Sequence, residues 1–195
     1  MPSVSPYSSA KKRARIVETA ERLVHERGFG ATTLADIAHA SGVPLGNLYY
    51  YFKTKDAIGE ALVDRLGARH EEIRRAWDES LPPVGRVLAF IEASLETRES
   101  LARSGCAIGG LCSELHKEPG PLAARAATLF DAFLGWLTTQ FKLMGKGAES
   151  RELAFHLVSS LQGAALLANT FHDTKQLARE CKRLMAWTYS LAAED

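Results

Sequence analysis

Apolar positions recur every three or four residues along most of the chain, and no segment sustains the two-residue alternation of a strand. The pattern predicts an all-α fold. Over residues 10–27, Ile16, Val17, Ala20, Leu23 and Val24 share one face of a first helix, which Gly28 and Gly30 end. Leu34, Ile37 and Ala38 mark a helix of about two turns, too short to persist without tertiary support. Leu48 and Phe52, four apart, mark another. Thr54 then caps a helix to about residue 80, with Ile58, Leu62, Leu66, Ile73 and Trp77 along one side, and Leu81-Pro82-Pro83 stops it. Further helices are predicted over 84–102 through Val87, Leu88, Ile91 and Leu95, and over 122–144 through Phe130, Phe133, Leu134, Trp136, Leu137 and Phe141. Two more, over 150–170 and 174–193, complete the pattern.

Residues 33–55 carry the most specific chemistry. Thr33 and Asp36 have capping-box spacing, in which the hydroxyl satisfies an early backbone N–H and the carboxylate reaches back. Gly42 suits the left-handed backbone of a tight turn, and Pro44 suits the first turn of the next helix. Burying Leu48 and Phe52 leaves Asn47, Tyr49, Tyr50 and Tyr51 outside. Two short helices joined by a glycine turn, the second with an exposed amide and aromatic surface, read as a helix-turn-helix.

This stretch resembles the DNA-binding signature of the tetracycline-repressor (TetR) family, T-x-x-x-I-A-x-x-[AS]-G-V-x-x-G-x-L-Y-x-[HY]-F-x-x-K, matched from Thr33 through Lys55. Leu45 stands where relatives often carry Lys or a polar residue. The resemblance implies about nine helices, with a DNA-binding domain at 1–55 and a ligand-binding and dimerisation domain at 56–195. It also implies DNA contact by Thr33, Pro44, Leu45, Gly46, Asn47, Tyr49, Tyr50, Tyr51 and Lys55. Asn47, Tyr49 and Tyr50 would enter the major groove, while Thr33 and Lys55 would hold phosphates at helix N-termini.

Charge adds modest support. The net charge is only +1, but residues 1–56 hold eight Lys/Arg against five Asp/Glu, a basic head on a slightly acidic remainder. Residues 1–9 are Ser/Pro-rich and predict a loose arm, followed by Lys11, Lys12, Arg13 and Arg15. That basic segment reads either as a phosphate or minor-groove contact or as a solvated helix start. Leu153 to His172 is an uncharged run, but His156, Ser159, Ser160, Gln162 and Asn169 interrupt it, so a buried helix at a subunit contact is predicted rather than a membrane span. Three cysteines without C-x-x-C spacing, and no basic-then-apolar leader pattern, predict a reduced, cytoplasmic protein without metal or cofactor.

Specific operators are commonly read by symmetric dimers. Leu177, Cys181, Leu184, Thr188 and Leu191 share one face of the last predicted helix, and Leu161, Gly163, Ala164, Ala165 and Ala168 give the helix before it a smooth surface. The resemblance implies that these two helices make a four-helix dimer contact; ordinary core packing is the other reading. Phe90, Phe133, Trp136 and Leu137 with Cys106 and Cys112, and His116, His156 and Gln162 as polar points, read as an apolar small-ligand pocket or as plain core. The function implied is a homodimeric repressor released from a palindromic double-stranded operator by a small-molecule inducer.

Gly105-Cys106-x-x-x-x-Leu111-x-x-Glu114 also resembles the family's electrophile- and oxidant-responsive members, in which that cysteine is the sensor. Pattern alignment sets Asn169 opposite it where relatives carry lysine, and a packing role is the alternative. No G-x-S-x-G, H-E-x-x-H or phosphate-binding loop is present, so no enzyme is predicted. The competing class is a Cys–His enzyme pairing Cys106 or Cys112 with His116 or His156.

Overall fold

The computed structural model describes residues 6–193, with side chains from residue 9 onward. Among the described residues it holds ten α-helices: α1 (Pro6–Arg27), α2 (Leu34–Ser41), α3 (Leu45–Tyr51), α4 (Lys55–Ser80), α5 (Pro83–Glu96), α6 (Arg98–Ser104), α7 (Ala107–Leu115), α8 (Pro121–Leu143), α9 (Ser150–Phe171) and α10 (Thr174–Ala193). A short 3-10 turn, Gly147–Glu149, precedes α9. The all-α expectation holds, and the count exceeds nine because the helix predicted over 84–102 is two. Thr97, with φ −91° and ψ 9°, leaves helical geometry between α5 and α6, and its hydroxyl donates to the Ala93 carbonyl. The arm predicted over 1–9 lies outside the described residues up to position 5, and Pro6 already opens α1.

The chain divides into two compact units. One gathers residues up to Leu66 with Gly110–Ala126; the other gathers Gly67–Gly109 with Ala127–Asp195. In the first, Ile16, Ala20 and Leu23 of α1 meet Ile37, Leu48, Phe52, Ile58 and Leu62 in a buried core. This is the use that the apolar stripe of α1 predicts: alone, neither α2 nor α3 is long enough to hold its shape. Thr54 caps α4 by accepting from the Ala57 N–H at 3.1 Å.

In the second unit α10 packs on α9 and α5, and α6 packs on α9. Val87, Ile91, Leu137, Phe141, Leu157, Leu177 and Cys181 are fully buried there. The apolar side predicted for α4 is incomplete, since Ile73 is exposed. No helix among the described residues is long and apolar enough to cross a membrane.

Candidate nucleic-acid interface and ligand cluster

The capping box forms as its spacing requires. Thr33 Oγ1 accepts from the Asp36 N–H at 3.1 Å, while Asp36 Oδ2 accepts from the Thr33 N–H at 2.9 Å and from its hydroxyl at 2.6 Å. Those bonds, the hydroxyl's first, hold the Asp36 carboxyl below its ordinary value. Gly42 ends α2 at φ 64° and ψ 25°, a left-handed conformation that costs a side chain with Cβ energy. The turn feeds α3, where Pro44 sits just before the first helical residue instead of inside the first turn, its carbonyl accepting from Leu48 N at 3.0 Å.

Burial of Leu48 and Phe52 aims the rest of α3 outward. Pro44, Leu45, Gly46, Asn47, Tyr49 and Tyr50 are exposed, Tyr50 by 75%. Three other residues expected at DNA are engaged within the unit. Tyr51 is half-buried, accepts from Ser9 Oγ at 3.3 Å and stacks edge-on against Tyr50. The Lys55 ammonium donates to the Gly30 carbonyl at 2.9 Å and lies 4.8 Å from the centre of the Phe29 ring. The Thr33 hydroxyl is committed to Asp36.

Glu114 of α7, noted in the sequence only as part of the cysteine element, completes this unit. Its carboxylate accepts from the Gly30 N–H at 2.7 Å and lies where a Cβ on Gly28 would stand, 2.5 Å from Oε1. Gly28 itself has φ 90°. The Gly28-Phe29-Gly30 turn is therefore held from two sides, by Lys55 on its carbonyl and by Glu114 on its N–H. Nothing in the local pattern of Glu114 marks such a role, because its partner is 84 residues away.

In the second unit the structure brings Phe90, Phe133 and Trp136 together. Phe90 meets Phe133 edge-on at 5.4 Å and Trp136 at 6.2 Å, with Trp77 and Phe130 adjoining. Leu137 is fully buried. Trp136 Nε1 donates to Asp78 at 3.0 Å, and Asp78 also pairs with Arg86, which donates to the buried Gln140 at 3.0 Å. Arg74, which no motif in the sequence singles out, lies over the Phe133 ring at 5.5 Å, and burial lowers its pKa from the ordinary value. His156 is not in this group: it packs on Trp187 at 5.0 Å. Cys106 and Gln162 form a separate pair. Gln162 Nε2 lies 3.5 Å from Cys106 Sγ, which also accepts from the Gly109 N–H. Gln162, rather than Asn169, faces the thiol, since Asn169 donates to the Ala102 carbonyl at the end of α6.

Two family models match the chain. The model described as bacterial regulatory proteins, tetR family, covers residues 16–62, and the model for the C-terminal domain of LmrA/YxaF-like transcriptional regulators covers 83–182. The chain belongs to the TetR family of transcriptional regulators. It is similar to the repressor DhaR of Mycobacterium sp., 30% identical over 79% of this chain and 80% of that protein. The similarity to the regulator ArpR of Pseudomonas putida is higher, 43%, but takes in 37% of this chain and 36% of that protein, about a third of each. A TetR-family regulator from Agrobacterium tumefaciens shares the fold at 19% identity, with a TM-score of 0.81 over 91% of this chain and 97% of that one. This TetR-family chain is accordingly a DNA-binding transcriptional regulator.

Within the regulator, the residues expected at a subunit seam lie elsewhere. Leu161, Ala165, Ala168, Leu177, Cys181, Leu184 and Thr188 are all buried inside one chain. α9 and α10 pack on each other, and on α6 and α5, through these positions. Burial also pushes the Cys181 thiol up to about 11, with the Glu180 charge adding to it. The surface of α9 and α10 is a different face, with Phe155, Leu166, Leu167, Phe171 and Tyr189 each more than half exposed. The Cys–His pairs do not form either. Cys112 Sγ is buried and donates to the Ala126 carbonyl, and His116 Nδ1 meets the Cys112 carbonyl, not its thiol. Among the described residues no group of three His, Cys, Asp or Glu could hold a metal ion.

Proposed function

We propose that this regulator is a cytoplasmic homodimeric repressor, released from a palindromic double-stranded operator by a small-molecule inducer. Residues 1–55 would make the DNA contact, and 56–195 would bind ligand and partner. The observation that carries the reading is the outward surface of α3. Leu48 and Phe52 anchor the helix from behind, so Asn47, Tyr49 and Tyr50 are presented together on a surface fit for the major groove. Asn47 can form a bidentate contact with adenine, and the tyrosine rings can meet thymine methyls and phosphates.

Dimerisation is supported by the apolar surface of α9 and α10, because a contiguous exposed apolar patch marks a protein–protein contact. Phe155 and Leu166, about three turns apart, share one face of α9, and a two-fold axis would set each patch against its copy. The Phe90–Phe133–Trp136 cluster supports the inducer site, since apolar walls with a few polar groups suit a small organic molecule.

The test is selection of binding sites from a random duplex library, followed by gel-shift titration. An inverted repeat with half-sites one helical turn apart, or a multiple of it, is expected. Asn47→Ala should relax discrimination at particular bases by roughly 1–3 kcal/mol. Failure to enrich any repeat, or full operator affinity in an Asn47→Ala/Tyr49→Ala protein, would refute the reading.

A further inference from the structure

Among the described residues, Arg74 Nη1 is the one buried side-chain nitrogen or oxygen without a hydrogen-bond partner. Such a group is rare, because a buried donor left unmade loses its hydration without replacement. Its surroundings explain why nothing internal answers it. The guanidinium lies against the Phe133 face, and His70 meets the same ring edge-on at 5.1 Å. Of the acids nearest along α4, Glu71 accepts from Arg75, and Asp78 is taken by Trp136 and Arg86. A permanent positive charge is thus held beside an aromatic wall of Phe90, Phe133 and Trp136, with an N–H pointing at no acceptor.

We infer that the inducer is a small organic carboxylate with a flat apolar body, its headgroup taken by Arg74 and its body by the aromatic wall. This inference rests on the reading of that cluster as the inducer site and adds the ligand's chemical class. Guanidinium matches carboxylate in geometry as well as charge, and a charge-assisted bond would satisfy the orphaned donor. A phosphate fits less well, because its further oxygens would find apolar rings in place of donors. A neutral ligand would bury the same rings and could at most offer Nη1 an uncharged acceptor, leaving the guanidinium charge unpaired.

The probes are 1-naphthoate, phenylacetate and the neutral near-isostere 1-naphthamide, titrated calorimetrically into the full chain. Wild type should bind 1-naphthoate about tenfold more tightly than 1-naphthamide, the margin of a charge-assisted hydrogen bond over the neutral one that the amide oxygen can accept. Arg74→Met should lose that preference while its thermal midpoint stays level or rises, since an orphaned buried donor has been removed; an arginine that serves packing alone would lower the midpoint and leave the preference intact. Equal affinities for the acid and the amide in wild type would overturn the inference without need of any variant. So would binding of neither carboxylate, or a preference that survives in Arg74→Met. Gel shifts of ligand-free protein separate the two levels: operator binding without carboxylate preference defeats this inference alone, and absence of operator binding defeats the reading beneath it.

Discussion

Replacing Gly28 by alanine tests the contact that Glu114 makes with the turn between α1 and α2. Two penalties combine at this position. A side chain at φ 90° carries about 1–2 kcal/mol of backbone strain. The new Cβ would also stand 2.5 Å from Glu114 Oε1, so the carboxylate must swing away and give up the Gly30 N–H. A hydrogen bond to a charged group contributes roughly 1.5–3 kcal/mol when sheltered, and because Gly30 is exposed water recovers part of it, leaving about 1 kcal/mol. Gly28→Ala should therefore cost about 2–3 kcal/mol and Glu114→Ala about 1 kcal/mol. The double variant should cost about 2–3 kcal/mol, no more than Gly28→Ala alone and about 1 kcal/mol less than the sum of the two, because the one hydrogen bond can be lost only once. Urea unfolding of the four proteins, with m held constant, reads the coupling directly. Additivity within about 0.5 kcal/mol would show that the two residues do not interact in solution.

Leu184→Glu should unfold the chain, since it buries an unpaired carboxylate at a cost of several kcal/mol, whereas Leu166→Glu should stay helical by circular dichroism and lower the mass in light scattering from dimer to monomer. Thr33→Ala should destabilise by about 1 kcal/mol through loss of the cap, read as a lower thermal midpoint with unchanged fold. The raised Cys181 thiol stays protonated in the folded chain while the unfolded thiol ionises, so stability should fall as pH rises from about 9 toward 11. Cys181→Val should show a shallower alkaline decline, and a decline as steep as that of wild type would count against the assignment. Tyr50→Ala should change stability by less than about 0.5 kcal/mol yet weaken operator binding in gel shifts.

The helix-turn-helix was legible because its signals are local: a hydroxyl and a carboxylate three residues apart, a glycine where the chain turns left-handed, and two apolar anchors four apart. Each needs only neighbours within one turn to be read. Periodicity also locates α9 and α10, but it reports that a face is apolar without saying what covers it. Leu177 and Leu184 look the same from the sequence whether a second chain or the same chain buries them, and here it is the same chain. Arg74 was hidden for the opposite reason. Set among Glu71, Glu72 and Arg75 it reads as a solvated charge, and only α5 and α8 bring the rings that change its surroundings. His156 and Gln162 share a helix and invited grouping, yet Trp187 and Cys106 claim them separately.

The boundary between the two compact units falls inside α4, inside α7 and inside α8 and does not coincide with a loop. For protein engineering this makes the reading head a mosaic part. A graft of residues 1–66 onto a foreign sensor would leave behind Leu111, Leu115, Ala123 and Ala126, buried members of the same core, along with the Glu114 contact. A working chimera has to transplant two discontinuous stretches and join them through three helices, so recombination with relatives would succeed at crossovers that keep both stretches from one parent.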